Sequence, residues 1–230
     1  MRLLAFELAT EGCSVALWID GQVRERFELA PRRHAELALP WADALLAEAG
    51  IARSQLDAVA VGRGPGAFTG VRLAIAIAQG IALGLDRPVL PVSTLAALAM
   101  QGRGRVLAAI DARMGEVYAG AFELRDGQAL ALGEESVAAP ERIQLPDVDG
   151  DWTGIGTGFA AQDGALQRTL GARLLQVDAG ALPRAGDIAR LAVHAFERGE
   201  AVAPERLEPA YLRNNVALTI AERAAQGITR

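Results

Sequence analysis

The segment Gly64-Pro65-Gly66-Ala67-Phe68-Thr69-Gly70-Val71-Arg72 holds the densest set of residues suited to chemistry. It follows an apolar run and precedes a long apolar helix pattern. Three glycines and a proline there make a tight turn. Such a turn can aim free backbone N–H groups at the positive end of the helix dipole, which suits an anion or a phosphate. Gly64, Pro65, Gly66, Thr69, Gly70 and Arg72 are the candidate contacts. The same residues also fit a plain strand-to-helix turn with Thr69 as N-cap, a commoner use of glycine. Glu7 ends an apolar run and is followed by Ala9-Thr10. Glu7 and Thr10 are therefore a candidate weak phosphate site, although a Glu7 that has simply reached solvent fits equally well. Asp111-Ala112-Arg113-Met114-Gly115-Glu116 places Asp111, Arg113 and Glu116 on a turn. By charge alone it reads as a solvated hairpin tip.

The rest of the composition excludes mechanisms. The 230 residues include 23 basic ones, and every one is arginine. A phosphate loop ending in lysine and Schiff-base chemistry are therefore ruled out. The histidines are His34 and His194, and the only cysteine is Cys13. His34 has Ala38 at i+4, so no paired-histidine metal motif forms, and a Cys/His zinc site lacks its ligands. His194 reads as a packed or surface helical residue and Cys13 as a small core residue. No metal site is expected, and no Ser-His-Asp or Cys-His set can be assembled. A single cysteine suits a reducing compartment. The net charge of −5 gives no global attraction for nucleic acid or anionic lipid. Glu7 interrupts the N-terminal apolar run, so no signal-peptide layout is read there. The apolar stretch Val71–Leu85 carries Arg72 and Gln79 and falls short of the ~20 residues of a membrane span. A cytoplasmic chain with no membrane partner is expected.

These residues need elements to position them. Strands are expected at 3–6, 13–19 and 23–29, with Asp20-Gly21 as a two-residue hairpin turn. A helix is expected over 35–49, stopped by Gly50, with Pro40 near its first turn or bending it. A strand over 56–61, a helix over 69–85, a strand over 88–92 and a helix capped by Ser93-Thr94 through Met100 follow. Gln101-Gly102-Arg103-Gly104 reads as a lobe boundary, giving lobes 1–101 and 102–230. The last helix of the second lobe is expected to pack back on the first. Strands at 106–110 and 116–122 flank the Asp111 turn. Gly154-Ile155-Gly156-Thr157-Gly158 is expected to open a helix to Leu170, and another helix spans 187–198.

Two helices carry more apolar surface than one sheet needs. Leu37, Trp41 and Leu45 recur along the first. The second is apolar all round except for Arg72 and Gln79, with small residues at Gly70, Ala74, Ala78, Gly80, Ala82 and Gly84. Cover by each other and docking on a partner both fit this pattern.

Leu4-Ala5-Phe6-Glu7-Leu8-Ala9-Thr10-Glu11-Gly12-Cys13-Ser14-Val15-Ala16-Leu17 resembles the N-terminal strand pair of the TsaB (YeaZ) family. Gly64–Arg72 resembles that family's most specific signature. Asp111–Tyr118 and Pro209-Ala210-Tyr211-Leu212-Arg213 resemble two further family segments. Together the resemblance runs from about 2 to 217. It implies an α/β fold of two lobes related to actin, hexokinase and the chaperone ATPases (ASKHA), each lobe a mixed sheet with flanking helices. It implies a non-catalytic scaffold and activator role in adding threonylcarbamoyl to the adenosine next to the anticodon of tRNAs. The implied partners are a catalytic TsaD paralogue, a TsaE ATPase, a second copy of itself when alone, and tRNA only within the complex. No cofactor of its own is implied, beyond ADP or ATP at a subunit interface. The paralogue's two metal-binding histidines correspond here to Thr94 and Leu98, and leucine has no donor atom. Leu37, Trp41, Leu45, Leu73, Ile77 and Ile81 become the candidate anchors of a helical bundle with the paralogue. The competing functions are a glycoprotease-like metallopeptidase and a small ATP-binding kinase-like enzyme, the latter suggested by the fold and by Gly154–Gly158.

Overall fold

A computed structural model describes residues 1–148 and 150–213. The last four residues of the 2–217 stretch, and the end of the lobe spanning 102–230, lie outside the described residues.

The chain forms two sheets. The first contains β1 (Arg2–Glu7), β2 (Gly12–Ile19), β3 (Gln22–Leu29), β4 (Ala58–Gly62) and β5 (Val89–Val92), in the order β3-β2-β1-β4-β5. β1 pairs antiparallel with β2 and parallel with β4. The β2–β3 turn is Asp20-Gly21, both at positive φ, as a two-residue hairpin requires.

Because β1 is central, its two faces are both buried. Leu4 and Phe6 join Leu45 and Leu46 of α1 (His34–Ala49) and Ala74 and Ala78 of α2 (Phe68–Leu85) in one core. Leu3 and Ala5 face the other way, with Ala16, Ala58 and Ala60. Alanines on that side let α5 (Ala185–Glu197) approach through Ala189 and Ala192. Alternation by two along the strand thus decides which helix each residue meets.

The second sheet contains β6 (Arg105–Arg113), β7 (Glu116–Arg125), β8 (Gln128–Ala131), β10 (Trp152–Ile155) and β11 (Leu174–Asp178), ordered β11-β10-β6-β7-β8, with β9 (Ser136–Ala138) on β7. One face packs Trp152, Phe159 and Leu166, the last from α4 (Ala165–Leu170). The other packs Leu95, Leu98 and Ala99 of α3 (Thr94–Ala99). Each sheet is therefore covered in part by a helix from the other half of the chain: α3 on the second, α5 on the first. Two mixed sheets with flanking helices make this an ASKHA-like two-lobed α/β fold.

Several expectations change. Pro40 lies inside α1 and past its first turn. The helix tolerates it because Pro40 and Glu36, whose carbonyl loses its donor, both face solvent. Thr69 does not cap α2: Ala67 stands at the N-cap, without a side-chain bond. Gly154–Gly158 does not open one continuous helix to Leu170: Gly154 lies in β10, Thr157–Phe159 is a single 3-10 turn, a second such turn follows, and α4 starts only at Ala165. Those glycines serve packing instead. A Cβ on Gly154 would lie 2.6 Å from the Phe159 ring, and one on Gly158 2.7 Å from Ala109 Cβ. By length and composition α2 could cross a membrane. Here its Ala74, Ala78 and Ala82 are sealed against the first sheet and α1.

Candidate functional site

β1 ends in Glu7, which does not reach solvent: it is fully buried. Both carboxylate oxygens are engaged. Oε1 accepts the Ala9 N–H at 2.7 Å, and Oε2 accepts the Thr94 hydroxyl at 2.9 Å. Burial pushes the Glu7 carboxyl up to about 7, against the lowering effect of those bonds. Thr94 in turn accepts the Gly64 N–H at 3.2 Å and donates its own N–H to Gly64 O at 3.0 Å.

The Gly64–Arg72 loop is clasped to the end of β1. Ala67 N donates to Ala9 O at 2.7 Å. A Cβ on Gly62 would stand 1.9 Å from Glu7 Oε2, one on Gly66 2.4 Å from Ala9 O, and one on Gly70 2.0 Å from Leu8 O. These glycines are needed for close approach to β1. The N–H groups of Gly64 and Ala67 are spent inside the protein, and Glu7 has no open face. This arrangement does not fit a phosphate held between the loop and Glu7. Thr10 is buried, its hydroxyl accepts the Gly12 N–H at 3.3 Å, and the His34 ring Nε2 donates to its carbonyl at 2.9 Å. His34 thereby ties α1 to the β1–β2 turn.

The four segments of the resemblance meet along one line. Ala210 N donates to Arg63 O at 2.9 Å. The Arg72 guanidinium donates to the Tyr211 hydroxyl and lies 3.1 Å over the Phe68 ring and 5.1 Å from the Tyr211 ring. Arg213 pairs with Glu116 and donates to Ala112 O at 3.2 Å. Residues 209–213 therefore run as a strap from the glycine loop to the β6–β7 turn. In that turn Arg113 pairs with Asp111 at 2.9 Å and is largely exposed. Asp111, Arg113 and Glu116 are thus not a free hairpin tip: Glu116 anchors the strap.

Thr94 and Leu98 sit on α3, but Thr94 is committed to Glu7 and Leu98 is buried in the core. Among the described residues no three His, Cys, Asp or Glu side chains converge where a metal ion could bind. Nearby, Ser93 caps α3 and donates to Glu135, just before β9, whose carboxyl burial pushes up. Ser93 is legible as a cap, but Glu135 has no local signal in the sequence.

The α1–α2 surface has a different character. A groove of about 380 Å³ lies between the helices, lined by Leu39, Ala42, Leu46, Gly80, Ile81 and Gly84 among others. The Asp43–Arg53 ion pair, 2.6 Å long, also lines it. Leu37, Trp41, Leu73, Ile77 and Ile81 are half-buried and pack on the first core. Leu45 belongs wholly to that core and presents nothing outward. The residues that do face outward are Leu39, 48% exposed, and Leu83, 53% exposed, with Ala76 and Gly80.

Residues 28–221 match the family model described as TsaD, tRNA N6-adenosine threonylcarbamoyltransferase. The chain is 46% identical over 226 residues to the tRNA threonylcarbamoyladenosine biosynthesis protein TsaB of Escherichia coli (strain K12), covering 94% of this chain and 96% of that protein. It is 38% identical over 230 residues to the protein of the same name from Haemophilus influenzae, covering 94% and 95%. The solved structure of YeaZ from Pseudomonas aeruginosa superposes with a TM-score of 0.86 at 48% identity, over 92% of this chain and 99% of that one. With near-complete coverage of relatives this similar, the chain belongs to the TsaB (YeaZ) family of tRNA threonylcarbamoyladenosine biosynthesis proteins.

Proposed function

We propose that this chain is the non-catalytic scaffold and activator subunit of the assembly that adds threonylcarbamoyl to the adenosine beside the anticodon of tRNA. In this reading it works in the cytoplasm, pairs with a TsaD-type transferase and is joined by a TsaE-type ATPase. The carrying observation is the outward apolar face of α1 and α2, where Leu39 and Leu83 flank a groove floored by Gly80 and Gly84. An exposed apolar face with small residues accepts the helices of another subunit of the same fold, or of a second copy when the chain is alone.

Two further observations support the reading. The α3 positions matching the transferase's metal-binding histidines are a threonine held by Glu7 and a core leucine. The loop that would cradle a phosphate is closed against β1, so the reading gives this chain no nucleotide inside its own first lobe; ADP or ATP at a subunit interface belongs to the assembly. The net charge of −5 fits tRNA being reached only within that assembly.

Reconstitution of the tRNA modification tests it. Transferase and ATPase without this chain should show little product, and adding it should restore the product. Leu39→Arg and Leu83→Arg, both at exposed positions, should fold and yet fail to restore it. Full modification without the chain, or turnover by the chain alone, would overturn the proposal.

A further inference from the structure

The exposed face does not end at the α1–α2 groove. At 100° per residue, Leu73, Ile77, Gly80 and Ile81 fall on the flank of α2 that faces α1, while Thr69, Ala76 and Leu83 form its outward ridge. Gln79 lies on the opposite flank and donates to Pro204 O at 2.9 Å, so that side of α2 meets the C-terminal segment. On the same flank, one turn apart, stand Phe68 and Arg72, and Tyr211 of the strap closes over them. Phe68 is 64% exposed and Tyr211 57%. With Leu39 and Leu83, they place four of the chain's large exposed apolar side chains along one surface, from α1 across α2 to the strap.

We propose that the partner-facing surface continues from the groove across the α2 ridge and ends on the Phe68–Arg72–Tyr211 stack, and that this stack is an affinity-determining end of the contact with the paralogous subunit. The inference rests on the subunit role proposed above and adds residues to it. Three features carry it beyond exposure. On the ridge between groove and stack Thr69 and Ala76 are small and exposed, so a second helix can approach closely there, and Leu83 stands at the ridge's C-terminal end as an apolar contact. Aromatic and arginine side chains are the types that concentrate binding energy at interfaces. Arg72 is already held between two rings, so little side-chain freedom remains to be lost on docking. Charge then defines the partner's chemistry. Among the described residues no carboxylate pairs with Arg72, whose guanidinium donates to the Tyr211 hydroxyl and the Phe68 carbonyl. The fitting occupant is a helical face of the paralogue that is apolar along its length and acidic at the end lying on Arg72.

The test measures the dissociation constant between this full-length chain and the transferase for several variants. Phe68→Ala, which leaves the strap's hydrogen bonds in place, and Tyr211→Ala should each weaken association about ten-fold, mostly through faster dissociation. Arg72→Gln should flatten the salt dependence of binding. Leu39→Arg serves as the control for the underlying reading. If Leu39→Arg abolishes association while Phe68→Ala and Tyr211→Ala leave it unchanged, the extension is wrong and the subunit role stands. If Leu39→Arg has no effect either, the subunit role fails too. If the stack variants assemble normally but the assembled complex loses affinity for tRNA, the stack contacts RNA and the proposal is overturned.

Discussion

The Thr94 hydroxyl, at the start of α3, donates to Glu7 Oε2, at the end of β1, over 2.9 Å. This bond joins residues 87 positions apart and occupies the carboxylate oxygen that the sequence offers as a candidate phosphate contact. Because Thr94 also holds Gly64, one hydroxyl connects the first strand, the glycine loop and the helix that carries the second sheet.

Removing that hydroxyl should be costly. Thr94→Val keeps the shape but leaves a buried carboxylate oxygen and the Gly64 N–H without partners. The expected loss is about 2–4 kcal/mol, whereas Thr94→Ser should recover most of it. Urea unfolding of the two variants checks this, and equal stabilities would contradict it.

Glu7 should make stability pH-dependent. Its carboxyl ionises at about 7 in the folded chain against an ordinary value of 4.5, because burial disfavours the charge. A raised carboxyl stabilises the fold while it is protonated. Stability from this group is therefore greatest below the ordinary value and is lost as pH rises to about 7. The full loss is about 3 kcal/mol by linkage. Glu7→Gln does not titrate, so its stability relative to the parent chain should improve by about 2 kcal/mol between pH 5 and pH 8. A constant difference across that range would show that Glu7 is not desolvated.

The glycines should separate into two classes. Gly66→Ala and Gly70→Ala push a methyl against backbone carbonyls of Ala9 and Leu8 and should destabilise by about 3 kcal/mol or more. Gly80→Ala meets nothing within 4 Å on an exposed helix and should stabilise the isolated chain by about 1 kcal/mol. In the proposed assembly the same added methyl stands where a partner helix approaches. Thermal unfolding alone and with the transferase checks both halves.

The anchoring of α5 on the first sheet depends on Ser14. Its hydroxyl accepts Ala185 N–H at 2.9 Å and donates to Glu25 at 2.7 Å, and Glu25 accepts Gly186 N–H at 2.9 Å. Ser14→Ala should cost about 1–3 kcal/mol and raise amide exchange in the first turn of α5. Unchanged protection there would mean that packing alone holds the helix.

Much of the architecture is written in local pattern. Asp20-Gly21 determines a hairpin because its backbone conformation is available to few residue pairs, and Gly50 ends α1 at φ 67° for the same reason. Ser93 caps α3 through its own hydroxyl, and the apolar excess of α1 and α2 follows from counting residues along each helix. The roles of Glu7, Gly154 and Leu45 were decided by distant neighbours. Glu7 is buried because Thr94, far along the chain, folds back over it. Gly154 is a strand residue because the Phe159 ring fills the space beside it. Leu45 is core rather than surface because α1 packs along β2, whose Val15 and Leu17 share its core. Capping and turn preferences act within a few residues and survive in sequence. Burial, pKa and surface exposure depend on contacts between residues tens of positions apart, and only the folded chain brings those together.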